Sequence, residues 1–129
     1  MGRAGLLRAG VAMVVALAGG ILAAPLPAAA AQWNSVSMYY YRTSNGTVWE
    51  DYVRSHTSTS DIKFDMADGY SDFNAGTVSL KYESNSHIFG SANVGLGSKT
   101  IVSNWGSTRF YFGFNGYPAS GTVVGSLYY

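Results

Sequence analysis

The sequence predicts an all-β fold: a small antiparallel β-sandwich, with a small closed barrel as the alternative, behind an N-terminal export leader. Three observations predict it. Apolar and polar residues alternate with period two in several short runs, the spacing of half-buried strands. Turn formers such as Asn45-Gly46, Asp68-Gly69 and Asn115-Gly116 separate those runs. The chain holds ten Tyr, six Phe and three Trp, all beyond residue 32, and pleated surfaces suit aromatic side chains better than helices do.

Residues 1–31 read as a secretory signal peptide. Arg3 and Arg8 are the only charges of the start, Val11–Leu22 is uncharged and apolar, and Pro25, Pro27 and Ala28–Ala31 form a small-residue exit. The apolar run is shorter than the roughly 20 residues of a spanning helix. The two prolines end any helix ahead of the cleavage region. Cleavage is expected after Ala31, leaving Gln32 first, or one residue earlier. No second apolar stretch offers a membrane span, so the product is expected to be secreted.

The remaining residues, 32–129, suffice for one domain. The chain has no cysteine, which excludes both acylation as a lipoprotein and stabilisation by disulfides. Aromatic packing and sheet hydrogen bonds must supply the stability unless a partner or an ion completes the fold. Of eight basic residues, Arg3 and Arg8 leave with the leader, so six stand against seven acids, a net charge of −1. The six are scattered. That argues against nucleic acid or an anionic membrane as partner, since both need a clustered positive face.

The elements follow in chain order. Val36, Met38 and Tyr40 share one face of a first strand, with Ser37, Tyr39 and Tyr41 on the other, and Ser44-Asn45-Gly46 supplies a hairpin turn. The return strand is expected over Thr47–Arg54, followed by a loop over Ser55–Ser60. Ile62, Phe64 and Met66 alternate with Asp61, Lys63 and Asp65, and Asp68-Gly69 turns the chain. Val78, Leu80 and Tyr82 alternate with Thr77, Ser79 and Lys81, up to a turn at Ser84-Asn85-Ser86. From His87 to Leu96 the glycines blur the pattern into two short strands or one bulged strand. Thr100–Trp105 is a further strand. Phe110, Phe112 and Phe114 alternate with Arg109, Tyr111 and Gly113, and the last strand runs over Thr122–Tyr128. Seven or eight short strands in this length point to a sandwich or a barrel.

Catalytic patterns are lacking. There is no cysteine nucleophile, no G-x-S-x-G and no H-E-x-x-H, and His56 and His87 read as isolated loop residues. Glu50 and Asp51 are adjacent on a strand and point to opposite faces, so they cannot form a glycosidase pair with each other. Gly95-Leu96-Gly97 lacks the lysine and the strand–helix context of a phosphate loop. An outer-membrane barrel also ends on an aromatic, as Leu127-Tyr128-Tyr129 does, but eight strands of about 9–11 residues overrun residues 32–129. One segment, Asp61–Asp72, holds four of the seven acids around a glycine turn. It reads as a charged strand edge that resists aggregation, with Asp65, Asp68 and Asp72 as alternative candidate Ca²⁺ ligands that lack the EF-hand spacing. No other cofactor is expected.

The aromatic surplus is the leading clue. Tyr39, Tyr41, Trp49 and Tyr111 fall opposite the apolar positions of their strands, Trp33 follows the expected cleavage point, and Arg42, Arg54 and Arg109 lie near them in sequence. Trp33, Tyr39, Tyr41, Trp49, Tyr111 and Arg109 are therefore the candidate binding residues. Tyr, Trp and Arg dominate protein hot spots, and sugar rings stack their C–H faces on Tyr and Trp. The expectation is a secreted, non-catalytic recognition protein. Its first expected partner is another secreted or surface protein, with this chain as subunit, adaptor, toxin component or inhibitor. The alternative partner is a cell-wall or other polysaccharide.

Overall fold

The computed structural model describes residues 30–42, 46–116 and 120–129. The expected leader up to residue 29 and Ser44-Asn45 of the first expected turn lie outside the described residues. The described chain forms nine strands and no helix: β1 (Trp33–Tyr40), β2 (Val48–Trp49), β3 (Arg54–His56), β4 (Ser60–Met66), β5 (Ala75–Tyr82), β6 (Ile88–Gly95), β7 (Gly97–Trp105), β8 (Thr108–Asn115) and β9 (Gly121–Tyr128).

Two antiparallel sheets result. The first has the order β1-β9-β4-β7. In the second, β2 and β3 both pair with one edge of β8, whose other edge pairs with β5, and β6 follows. The expected sandwich is thus borne out as two sheets, and the barrel alternative is corrected. Closure needs β1 bonded to β2 or β3 and β6 bonded to β7, and neither pair is a hydrogen-bonded neighbour. Instead, β6 passes into β7 at Gly95-Leu96-Gly97, a corner where Gly97 has φ +91°, a backbone shape that side chains disfavour. At the opposite end of the chain, the backbones of Gln32 and Tyr129 exchange two hydrogen bonds of 3.0 and 3.1 Å.

The inner faces are read directly from the alternation. Val36 and Tyr40 of β1, Ile62, Phe64 and Met66 of β4, and Val123 and Leu127 of β9 meet Val78 and Leu80 of β5 and Phe110, Phe112 and Phe114 of β8. Phe64 and Phe112 approach across the two layers with ring centroids 5.2 Å apart, and Tyr40 stands edge-on to Phe114 at 6.0 Å. Such offset and edge-to-face pairs add specificity to the burial of large apolar area. The Tyr40 hydroxyl, carried inside with its ring, donates to Asn115 Oδ1 at 2.9 Å.

Two elements differ from expectation, and a third takes one of its two expected forms. The single return strand over 47–54 is two short strands with a break at 50–53. Part of the loop expected over 55–60 is strand, since β3 extends to His56 and β4 starts at Ser60. The glycine-blurred region is one strand, β6, with a register shift opposite Leu80 and Lys81.

Candidate functional site

Strand β8 organises the outer face of the second sheet. Its phenylalanines occupy the core, so Arg109, Tyr111, Gly113 and Asn115 take the outward positions. Register places Gly113 between Trp49 of β2 and Ser79 of β5, and Tyr111 opposite Lys81. A Cβ at Gly113 would stand 2.6 Å from Cε3 of Trp49 and 2.5 Å from Cγ2 of Thr47. The glycine is therefore the seat across which the indole lies. Lys81 reaches in from β5, its Nζ 4.4 Å from the Trp49 ring centroid and 5.5 Å from that of Tyr111. An ammonium is attracted by the faces of both rings and ties them into one platform.

Polar groups border this platform at both ends. On one side the Thr77 hydroxyl donates to Asn93 Oδ1 at 3.1 Å, and Ser79 and Ser91 hydroxyls lie 3.0 Å apart. An open depression of about 400 Å³ lies beside Thr77, Asn93 and Asn115. On the other side a depression of about 490 Å³ is bordered by Ser55, Glu83 and Arg109. There Arg109 Nε donates to Glu83 Oε1 at 2.7 Å. The hydrogen bonds and charge of Arg109 hold the Glu83 carboxyl below its ordinary range, and those of Glu83 hold Arg109 above its own.

The six candidate binding residues do not form one patch. Trp49, Tyr111 and Arg109 share the outer face of the second sheet. Trp33 and Tyr39 lie on the outer face of the first, six residues apart on β1, or about 20 Å at strand rise. Trp33 rests against Tyr128 of β9 at 5.2 Å, while Tyr39 meets Tyr41 edge-on at 5.1 Å. Lys81 and Tyr128 are additions that the candidate set missed. Their outward places in the alternation were visible, but neither cross-strand partner was.

Glu50 and Arg54 take a place that the alternation did not foresee. Both are buried, and Arg54 grips Glu50 with Nε to Oε1 at 2.7 Å and Nη2 to Oε2 at 2.8 Å. Its Nη1 donates to the Tyr129 hydroxyl at 3.0 Å, and Nη2 to the Ser35 carbonyl at 3.1 Å. The Tyr52 hydroxyl donates to Glu50 Oε2 at 2.7 Å, and the guanidinium lies 5.0 Å from the Tyr52 ring and 5.5 Å from that of Tyr129. The cluster joins the β2–β3 edge to β1 and so fastens the open side of the sandwich. Burial works against the guanidinium charge, but the hydrogen bonds and charge of Glu50 outweigh it and hold Arg54 above its ordinary value. Partial burial, the hydrogen bond to Glu50 and its charge push the Tyr52 hydroxyl up to about 12.

The remaining candidates are dispersed. His56 is buried; its Nδ1 donates to the Gly106 carbonyl at 2.8 Å and Nε2 accepts from the Ser60 hydroxyl at 2.9 Å. That second separation is one a nucleophile and base would show, and here it ties β3 to the start of β4. His87 is exposed. The candidate Ca²⁺ ligands Asp65, Asp68 and Asp72 are not brought together: among the described residues no three His, Cys, Asp or Glu side chains gather around a common point. Asp72 Oδ2 is taken by the Thr122 N–H at 2.8 Å, Asp61 Oδ1 by the Asn104 N–H at 2.8 Å, and Asp65 opposes Ser126 on the first sheet, away from Asp68 in its turn.

Comparison with family models, curated proteins and solved structures finds no match to this chain. The reading of its function therefore stands on the two outer faces and their chemistry alone. What the platform on the second sheet can do is limited by its shape. It is broad and shallow, with aromatic rings in the middle and amide, hydroxyl and charged groups around them. That suits an extended ligand with alternating apolar and hydroxyl surfaces better than a small molecule that needs an enclosing cavity.

Proposed function

We propose that the protein is an exported, non-catalytic polysaccharide-binding module whose ligand lies on the outer face of the second sheet. The observation that carries this reading is the Trp49 indole laid across Gly113, with Lys81 between it and Tyr111. A pyranose ring offers a C–H face to the aromatic platform and hydroxyls to its rim. Lys81 and Asn93 border the rings where those hydroxyls would fall. The scattered charge after loss of the leader fits a neutral ligand better than a polyanion. The test is retention of the purified protein on amorphous cellulose, chitin, insoluble xylan and isolated bacterial cell wall. One of these is expected to retain it, and Trp49→Ala is expected to weaken that retention at least tenfold, about 1.4 kcal/mol. Equal retention of wild type and variant on every matrix would overturn the reading.

A second reading, binding to another protein, is favoured by one observation. Strand β1 is an eight-residue edge without charge or proline, WNSVSMYY, and it exposes Trp33 and Tyr39. Edges are usually blunted by lysine, proline or bulges because unpaired backbone groups recruit further strands. A secreted assembly or inhibitor complex would add a strand there. Ser37→Lys would then abolish capture of that protein and leave polysaccharide retention unchanged.

A further inference from the structure

The platform on the second sheet has a counterpart on the back of the molecule. Across β2-β8-β5, from the edge inward, stand Trp49, Tyr111 and Lys81. Across β1-β9-β4, in the same order, stand Trp33, Tyr128 and Lys63. In both cases the tyrosine and the lysine are direct cross-strand partners, Tyr111 with Lys81 and Tyr128 with Lys63. The ammonium lies 5.5 Å from the tyrosine ring in the first and 5.4 Å in the second. Trp33 is itself the register partner of Tyr128, and nearly half of its surface is open. The neighbouring outward row carries hydroxyls on each face, Ser91 beside the buried Ser79 on one, Ser35 and Ser126 on the other.

A single lysine–aromatic contact is an ordinary way to stabilise an exposed sheet. The same three residue types in the same strand order on both faces ask for a shared cause. We propose that the first sheet carries a second pyranose-binding face, made by Trp33, Tyr128 and Lys63, and that the protein is bivalent. This rests on the polysaccharide reading of the Trp49 face, and the occupant is the same chemistry, a neutral polysaccharide chain. The two faces look in opposite directions across layers about 10 Å apart. One straight chain cannot lie on both, so bivalency acts between chains: the molecule cross-links them.

The experiment uses the purified full chain with two soluble polysaccharides, hydroxyethyl cellulose and xylan. Binding is read by retardation in gels that contain the polymer, and cross-linking by light scattering as the ratio of protein to polymer is varied. Sedimentation in the absence of polymer fixes concentrations at which the protein is monomeric. Wild type is expected to scatter in a bell-shaped curve that peaks near equivalence. Trp33→Ala and Trp49→Ala are each expected to retain gel retardation and to lose at least tenfold of the peak scattering, while the double variant loses both signals. Trp33→Phe, which keeps a ring on the strand, is expected to recover scattering, and it separates loss of the ligand contact from loss of the fold. Wild-type scattering by Trp33→Ala, or retardation that depends on Trp49 alone with no cross-linking by wild type, overturns the second face and leaves the first intact. No retardation of wild type by either polymer, together with no retention on the solid matrices above, overturns both.

Discussion

Arg54 enters the interior with its charge intact because oxygen acceptors meet it from several directions: Glu50, the Tyr129 hydroxyl and the Ser35 carbonyl. A buried ion pair of this kind adds little net stability over an apolar pair, but removing one partner strands the other charge. Glu50→Gln is therefore expected to cost about 3–5 kcal/mol in urea denaturation. The double change Glu50→Leu with Arg54→Met is expected to cost less than either single loss. The same cluster sets a pH limit. The Tyr52 hydroxyl titrates near 12 in the fold against an ordinary 10.0, so its proton is held more tightly folded than unfolded. That contribution is complete below about pH 10 and disappears as pH rises through 12. Stability is expected to fall across that window, and Tyr52→Phe is expected to flatten the fall, as followed by urea midpoints at each pH. None of this was legible in the sequence. Alternation assigns Glu50 and Arg54 to the same face and says nothing of a buried charge, because only the three-dimensional partners make such burial affordable.

Elements with strict alternation were legible, and those with a reason to break it were not. β4, β5 and β8 follow their patterns because one face of each meets the aromatic core. The expected strand over 47–54 breaks because Glu50 must reach Arg54. Residues four apart on an unbroken strand are about 13 Å apart, yet these side chains meet at 2.7 Å. The chain bends through 51–53 to bring them together. β6 was ambiguous because glycine erases the periodic signal without preventing the pairing with β5. Glycine at position 113 has the opposite lesson: the outward place it leaves without a side chain on β8 is the space that the indole fills. Gly113→Val is expected to displace Trp49 and Thr47, to shift tryptophan emission to longer wavelength and to weaken polysaccharide retention about as much as Trp49→Ala does. Since its side chain would point away from Phe112 and Phe114, cooperative unfolding should survive. The candidate binding residues were legible as a set of outward aromatics, and their division between two faces was not, because sequence carries no information on which sheet a strand joins.

At the scale of the whole molecule, two thin sheets share one aromatic core, with a folded corner on one side and the Arg54 cluster on the other. The absence of cysteine leaves that core independent of thiol–disulfide exchange. The paired backbones of Gln32 and Tyr129 have a separate consequence. The described domain is nearly a ring, since its first paired residue and its last are already neighbours in one ladder. Joining Tyr129 to Gln32 through a short Gly-Ser linker and opening the chain in the exposed turn at Ser84-Asn85 would yield a circular permutant with every sheet pairing retained. Its circular dichroism spectrum is expected to match that of the natural order, and its cooperative unfolding to persist. Loss of that transition would mean that the order in which β1 and β9 meet matters to folding. If the permutant folds, the identity of the fold belongs to the ring, and the place where the chain is cut, the turn between β5 and β6, becomes free to carry a fusion.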